Sequence, residues 1–179
     1  MSKSDSGSAA IEFAMVGAPF IFLLGCIVEI GIMLFAEYSI QAAVQKAARD
    51  LRTGQSQNAG VNEAQFKSRV CQLAGLIVDC GRVTVYVDSA ADGRFATLRA
   101  NLPSFVNVGP QPDGTPSAGS FSCGGPSVPV GIIASYDWKF AFPFLAPLAN
   151  VSSAAGSTRR LYGMAILRSE PYQNTGTCT

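Results

Sequence analysis

Two carboxylates stand in the most apolar stretch of this 179-residue chain, Glu12 at its threshold and Glu29 inside it. A carboxylate in such surroundings must pair with a cation or accept hydrogen bonds that the fold brings to it. The five cysteines offer a different chemistry, oxidative cross-linking. Cys26 lies in the apolar stretch and reads as a small packing residue, whereas Cys71, Cys80, Cys123 and Cys178 form an even set beyond it. No CxxC pair occurs, so zinc-type spacing is missing. The even set suits two disulfides in an oxidising compartment. Cys71–Cys80 and Cys123–Cys178 are the preferred pairs, the first closing a short loop and the second pinning the C-terminus. The sequence has no histidine, which removes His-dependent triads, His general bases and His-ligated metals. Its net charge of +1 on few charged residues gives no nucleic-acid footprint. No catalytic residue, cofactor, metal or small-molecule substrate is expected.

The elements that must position these residues begin with a helix. The run from Gly7 to Ala36 exceeds the roughly 20 apolar residues needed to cross a bilayer. Beyond it, Ile40, Ala43, Val44, Ala47 and Leu51 recur at helical spacing, and Thr53-Gly54 supplies a stop. The pattern predicts one helix from Ser8 to Arg52, lipid-facing over 8–36 and amphipathic over 37–53. Pro19 should kink or loosen it, and Gly17, Gly25 and Gly31 permit close helix approach. A second helix is expected at Asn62, with Gln65 completing a capping box and Val61 stapling on Phe66. Phe66, Val70, Leu73 and Ile77 form its apolar face, and Gly75 is an early stop. Val83–Val87 alternates as a strand, with Phe95–Ala100 as its partner.

Residues 103–129, rich in Gly, Pro and Ser, read as an irregular exterior loop. Ile132–Phe140 alternates as a half-buried strand, and Leu161–Leu167 suits a central one. The Phe140–Leu148 segment, broken by prolines, reads as a loop folding back over the sheet, or else as a subunit-docking or membrane-surface patch. Asp79, Asp88, Asp92 and Asp137 suit turns or solvent faces, and Arg159-Arg160 a solvated turn or, less simply, a second cleavage site. The fold class is α+β: a long N-terminal helix packed on a small antiparallel sheet with one additional helix, over an extracytoplasmic domain of 54–179.

Gly7, followed by small residues and by Glu12-Phe13 at the head of an apolar helix, resembles the processing region of type IV-type prepilins. Ser8–Ala14, Glu29-Ile-Gly31 and the continuation through Gln41–Arg49 resemble the TadE-like pseudopilins of the tight-adherence (Flp) pilus system. The closing Leu167–Tyr172 resembles the end of some members. The resemblance implies a leader of residues 1–7 removed by a prepilin peptidase after Gly7, with Ser8 as the new N-terminus. It implies recognition through Glu12 and Phe13, and helix packing and assembly through Glu12, Glu29 and Gly31. Partners would be the membrane, the peptidase, other pilins and the pilus assembly platform. The protein would be a single-pass inner-membrane protein with a periplasmic domain, able to enter a surface pilus. The new ammonium at Ser8 would stand one helical turn from Glu12, available in cis or to a neighbouring subunit. Lys46, Arg49 and Arg52 follow the span, a distribution that the positive-inside rule does not ask of this orientation.

Three other readings compete. An unprocessed single-pass protein with an extracytoplasmic interaction domain would keep residues 1–7. A lipoprotein would be acylated at Cys26, since Leu23-Leu-Gly-Cys26 resembles a lipobox, but the run stays apolar through Ala36. A membrane-anchored enzyme would need a pair such as a serine with Lys67 or Lys139.

Overall fold

The computed structural model describes residues 6–102, 121–153, 156–173 and 178. The first five residues of the expected leader, and most of the expected 103–129 loop, lie outside the described residues.

One helix, α1 (Ser6–Arg52), runs for 47 residues without a break at Pro19, about 70 Å at 1.5 Å per residue. Its stop is local. The Thr53 and Gly54 amides donate to the Arg49 and Leu51 carbonyls, and Gly54 takes φ 78°. A Cβ there would also stand 2.5 Å from the Tyr172 ring, so only glycine serves both the turn and the packing. Arg49 and Arg52 occupy the last turn, where cations complement the helix dipole.

The helix buries one stripe. Glu29, Met33, Ala36, Ile40, Ala43, Val44, Ala47 and Leu51, three or four residues apart, are all buried. Half-buried Phe22, Gly25 and Cys26 carry the stripe toward the N-terminus, whereas every side chain from Ala9 to Ile21 is exposed apart from the half-buried position Gly17. The docked stripe therefore starts inside the 8–36 segment, well before residue 37.

The stripe meets a sheet. Among the described residues it has four strands, β1 (Val83–Ser89), β2 (Pro129–Lys139), β3 (Val151–Ser153) and β4 (Gly156–Arg168), in the order β1-β2-β4-β3 with antiparallel neighbours. Val85, Ala134 and Gly163 lie opposite one another on the face toward α1. A Cβ on Gly163 would come within 2.9 Å of the Ile40 carbonyl oxygen and 3.0 Å of Val44. The alanines of α1 and this glycine let helix and strand backbones approach closely. The opposite face carries Ile133 and Met164, covered in part by a short helix, α4 (Phe95–Asn101), whose Leu98 is buried and followed by Leu102 against Gly131.

Three expectations change here. β2 is buried on both faces from Pro129 to Tyr136, not half-buried, because α1 and α4 sandwich it. β4 is interior in the strand order, as expected, but it is the one that alternates, with Leu161, Gly163 and Ala165 buried and Ile166 exposed. Phe95–Ala100 is helix rather than strand, and the partner of β1 is β2. The Asp92 carboxylate starts that helix by accepting from the Arg94 amide (3.0 Å) and the Thr97 hydroxyl (2.5 Å). Leu98 and Leu102 then fall four apart, on one helical face.

Among the described residues the single additional helix becomes three: α2 (Gln55–Asn58), α3 (Glu63–Ala74) and α4. α3 opens with the expected capping box, the Asn62 side chain accepting from the Gln65 amide and the Gln65 side chain from the Asn62 amide. Its buried face is Phe66, Val70, Cys71 and Ala74. Ile77 leaves that face, since Gly75 at φ 83° ends the helix and exposes it.

Beyond β3, side-chain amides occupy the free edge of β4. Gln41 on α1 donates to the Met164 carbonyl (2.9 Å) and accepts from its amide (2.8 Å), and Asn150 accepts from the Arg160 amide (2.7 Å). An edge filled in this way offers fewer open groups to another strand. Disulfides join Cys71 to Cys80 and Cys123 to Cys178, with Cα separations of 5.7 and 6.2 Å. The first ties α3 to the turn that leads into β1. The second holds the C-terminal segment against the core.

Candidate functional site

The carboxylate that the fold surrounds is Glu29. It is 6% exposed, on the stripe of α1 that faces the end of β2. Past Lys139 the chain crosses α1, and two successive backbone amides point at the carboxylate. Ala141 donates to Oε1 at 2.5 Å and Phe142 donates to Oε2 at 3.1 Å. Each oxygen thus has a donor, which offsets the cost of taking a carboxylate out of water.

Aromatic packing extends the contact toward the N-terminus. The Phe22 ring meets Phe142 edge-on at 5.7 Å between centroids and Phe144 at 4.9 Å. A Cβ on Gly25 would stand 2.8 Å from the Phe142 ring. The segment then makes a 3-10 turn, Pro143–Leu148, with Pro143 fixing its start and Leu145 buried. Arg159 donates to the Leu148 carbonyl at 3.1 Å. Phe140–Leu148 thus bridges the two elements: Ala141, Phe142 and Phe144 meet the apolar helix, while Phe140 packs against the core and the 3-10 turn folds back to β4, in the direction expected for it.

The other sequence-selected residues are placed differently. Gly7 and Ser8 belong to the first turn of α1. Glu12 and Phe13 follow on its exposed part. A Cβ on Gly31 would meet nothing within 4 Å, so Gly31 faces away from the domain. Cys26 is half-buried and unpaired.

Arg159 and Arg160 are not in a turn. They lie within β4, and Arg160, 4% exposed, donates to both Asp137 oxygens at 2.6 and 3.0 Å. Asp137 accordingly leaves the solvent face expected for it. Burial pushes the neighbouring Tyr162 phenol above its ordinary pKa, with Arg160 opposing and Asp137 adding to the rise. Lys67 and Ser68 line an open groove of about 660 Å³ beside Cys71 and Cys80, but adjacent helical positions do not face each other. Among the described residues no cluster of His, Cys, Asp or Glu could hold a metal ion.

The sequence pointed to Glu29 without naming its donors and to Gly25 as a place of close helix approach, where the structure brings the Phe142 ring instead; it missed Phe22, Gln41 and Gly163. One signal was readable: Phe22, Gly25, Glu29 and Met33 continue the spacing of Ile40–Leu51 without a break.

Residues 7–49 match the model of the TadE-like protein family. Neither a curated protein nor a solved structure matches the chain.

Proposed function

From a TadE-like segment over residues 7–49, we propose that the chain is a pseudopilin, or minor pilin, of a tight-adherence pilus system, with a structural rather than an enzymatic role. The observation that carries this reading is the division of α1. Its C-terminal half is buried under a disulfide-linked α+β domain, while Ala9–Ile21 projects with Ile11, Phe13, Met15, Val16 and Phe20 exposed. Side chains of this kind need an apolar medium. A bilayer supplies it before assembly and the helices of neighbouring subunits supply it afterwards. The helix also meets the length and composition required of a span.

In this reading a prepilin peptidase cuts between Gly7 and Ser8, and Glu12 and Phe13 form the recognition sequence. The new Ser8 ammonium then pairs with Glu12, in cis or from an adjacent subunit, and in the second case sets the axial register of the helices. The domain lies on the periplasmic side, where disulfides persist. The basic residues after the span oppose this orientation only weakly. Lys46 and Arg49 come 17 and 20 residues after Glu29, about 25 and 30 Å along the axis, at the outer edge of where the charge rule operates.

The test is the N-terminus of the mature protein in cells that carry the pilus system. A start at Ser8 is expected, and Gly7→Ala should retain the full leader. A mature protein that still carries residues 1–7 would instead support an unprocessed single-pass anchor. Recovery in sheared pili then separates a filament subunit from an assembly factor that stays in the membrane.

A further inference from the structure

We propose that Phe140–Leu148 is a membrane-surface foot, inserting Phe144 and Leu148 at the outer headgroup–acyl boundary of the bilayer that α1 crosses, with Glu29 as the latch holding it there. This rests on the single-pass reading of α1.

The first support is distance along the helix. Sixteen uncharged residues separate Glu12 from Glu29, and a span that begins near Ala9 reaches the far hydrocarbon boundary about 20 residues later, at Glu29. Phe142 packs on Gly25 and Phe22, four and seven residues before Glu29, which is about 6 to 10 Å toward the bilayer centre. Elements lying in a membrane interface bury their apolar faces to a similar depth, about 5–10 Å. A boundary placed further along α1 would immerse the segment more deeply.

The exposed surface is the second support. Phe144 is 75% exposed and Leu148 41%, and the Phe144 ring packs edge-on against Phe22 of α1, so the patch adjoins the apolar band of the span. Polar groups border it on the domain side. Lys139 is exposed just before the segment, and Arg159 is bonded to the Leu148 carbonyl, placing two cations at headgroup level, where anionic lipids attract them. Glu29 completes the arrangement. Two backbone amides that would otherwise enter the boundary unpaired are bonded to its carboxylate.

The test uses the full chain in vesicles of phosphatidylcholine and phosphatidylglycerol, with bromine either on the upper acyl chain or near its methyl end. The only tryptophan, Trp138, is first replaced by phenylalanine; its indole nitrogen is among the buried atoms with no partner, so no hydrogen bond is lost. Phe144→Trp, and Leu148→Trp as a second reporter, should then be quenched about two-fold or more by upper-chain bromine and less by methyl-end bromine, while Phe20→Trp shows the reverse order. Adding Glu29→Ala should lower the Phe144→Trp quenching, and an unchanged value would remove the latch. If Phe20→Trp is quenched and both foot reporters are not, the foot is overturned and the span stands. If none is quenched, the span reading fails and the foot with it. Quenching at the foot that disappears as the protein-to-lipid ratio rises would give the patch to a second copy of the chain and overturn the lipid assignment.

Discussion

Among the described residues, Glu29 and Arg160 are the two charged side chains buried most deeply, and each is satisfied differently. Glu29 takes two backbone amides. Arg160 takes a two-pronged contact from Asp137 across the β2–β4 pair. Removing the Glu29 carboxylate leaves two buried amides unpaired, at about 1–3 kcal/mol each, and taking the Asp137 carboxylate from a buried charge costs more. Glu29→Ala should therefore speed hydrogen exchange at the Ala141 and Phe142 amides by roughly ten- to hundredfold, and Glu29→Gln, which keeps one acceptor, by less. Equal exchange in both variants and the parent would show that the carboxylate does not hold the segment. Asp137→Ala removes the carboxylate paired with the buried Arg160 guanidinium and should cost about 3–5 kcal/mol in denaturant unfolding, whereas replacing both partners by apolar residues of similar volume should cost much less. The anomaly of Glu29 was visible in the sequence, since a carboxylate in an apolar run demands a partner. Its donors are 112 and 113 residues away, and no local pattern specifies a pairing at that separation.

Close approach decides the packing of α1 on the sheet, and glycine marks where it happens. Gly163→Ala should destabilise the protein by about 1–3 kcal/mol through overpacking, because its Cβ would press on the Ile40 carbonyl and Val44. Gly31→Ala should leave the isolated chain unchanged in a thermal melt, as open space surrounds that position. A Gly31→Ala variant that folds normally but fails to enter pili would locate a contact between subunits, and one that melts early would refute the placement of Gly31 on the outer face. The helices with complete local signals were legible: α1 from its apolar run and Gly54, α3 from Asn62 and Gln65. α4 was misjudged because Phe95–Asn101 is short, and its helical state depends on the Asp92 carboxylate and on a sheet face to cover. β2 and β4 exchanged their expected burial for a related reason. Alternation records composition along one strand, while coverage depends on which helices arrive from elsewhere.

At the scale of the whole molecule, an exposed apolar stalk is joined to a domain closed by two cross-links. Their sequence separations are 9 and 55 residues, so loop-closure entropy favours the longer one, about 4 against about 3 kcal/mol in the chain-entropy account. The pair Cys123→Ser and Cys178→Ser should lower the unfolding midpoint more than Cys71→Ser and Cys80→Ser, and the opposite order would show that α3 anchoring outweighs the C-terminal clasp. By itself the sequence determined the long helix, its apolar half, the α+β class and the Gly7–Phe13 pattern, because periodicity, capping and hydropathy act over a few neighbouring residues. Only the tertiary structure decided that the domain grips α1 from Phe22 onward, that Glu29 is held by the end of β2, and that Phe144 is left exposed beside the stalk. Those outcomes depend on which distant surfaces meet, and burial and hydrogen bonding between them are settled by the assembled fold.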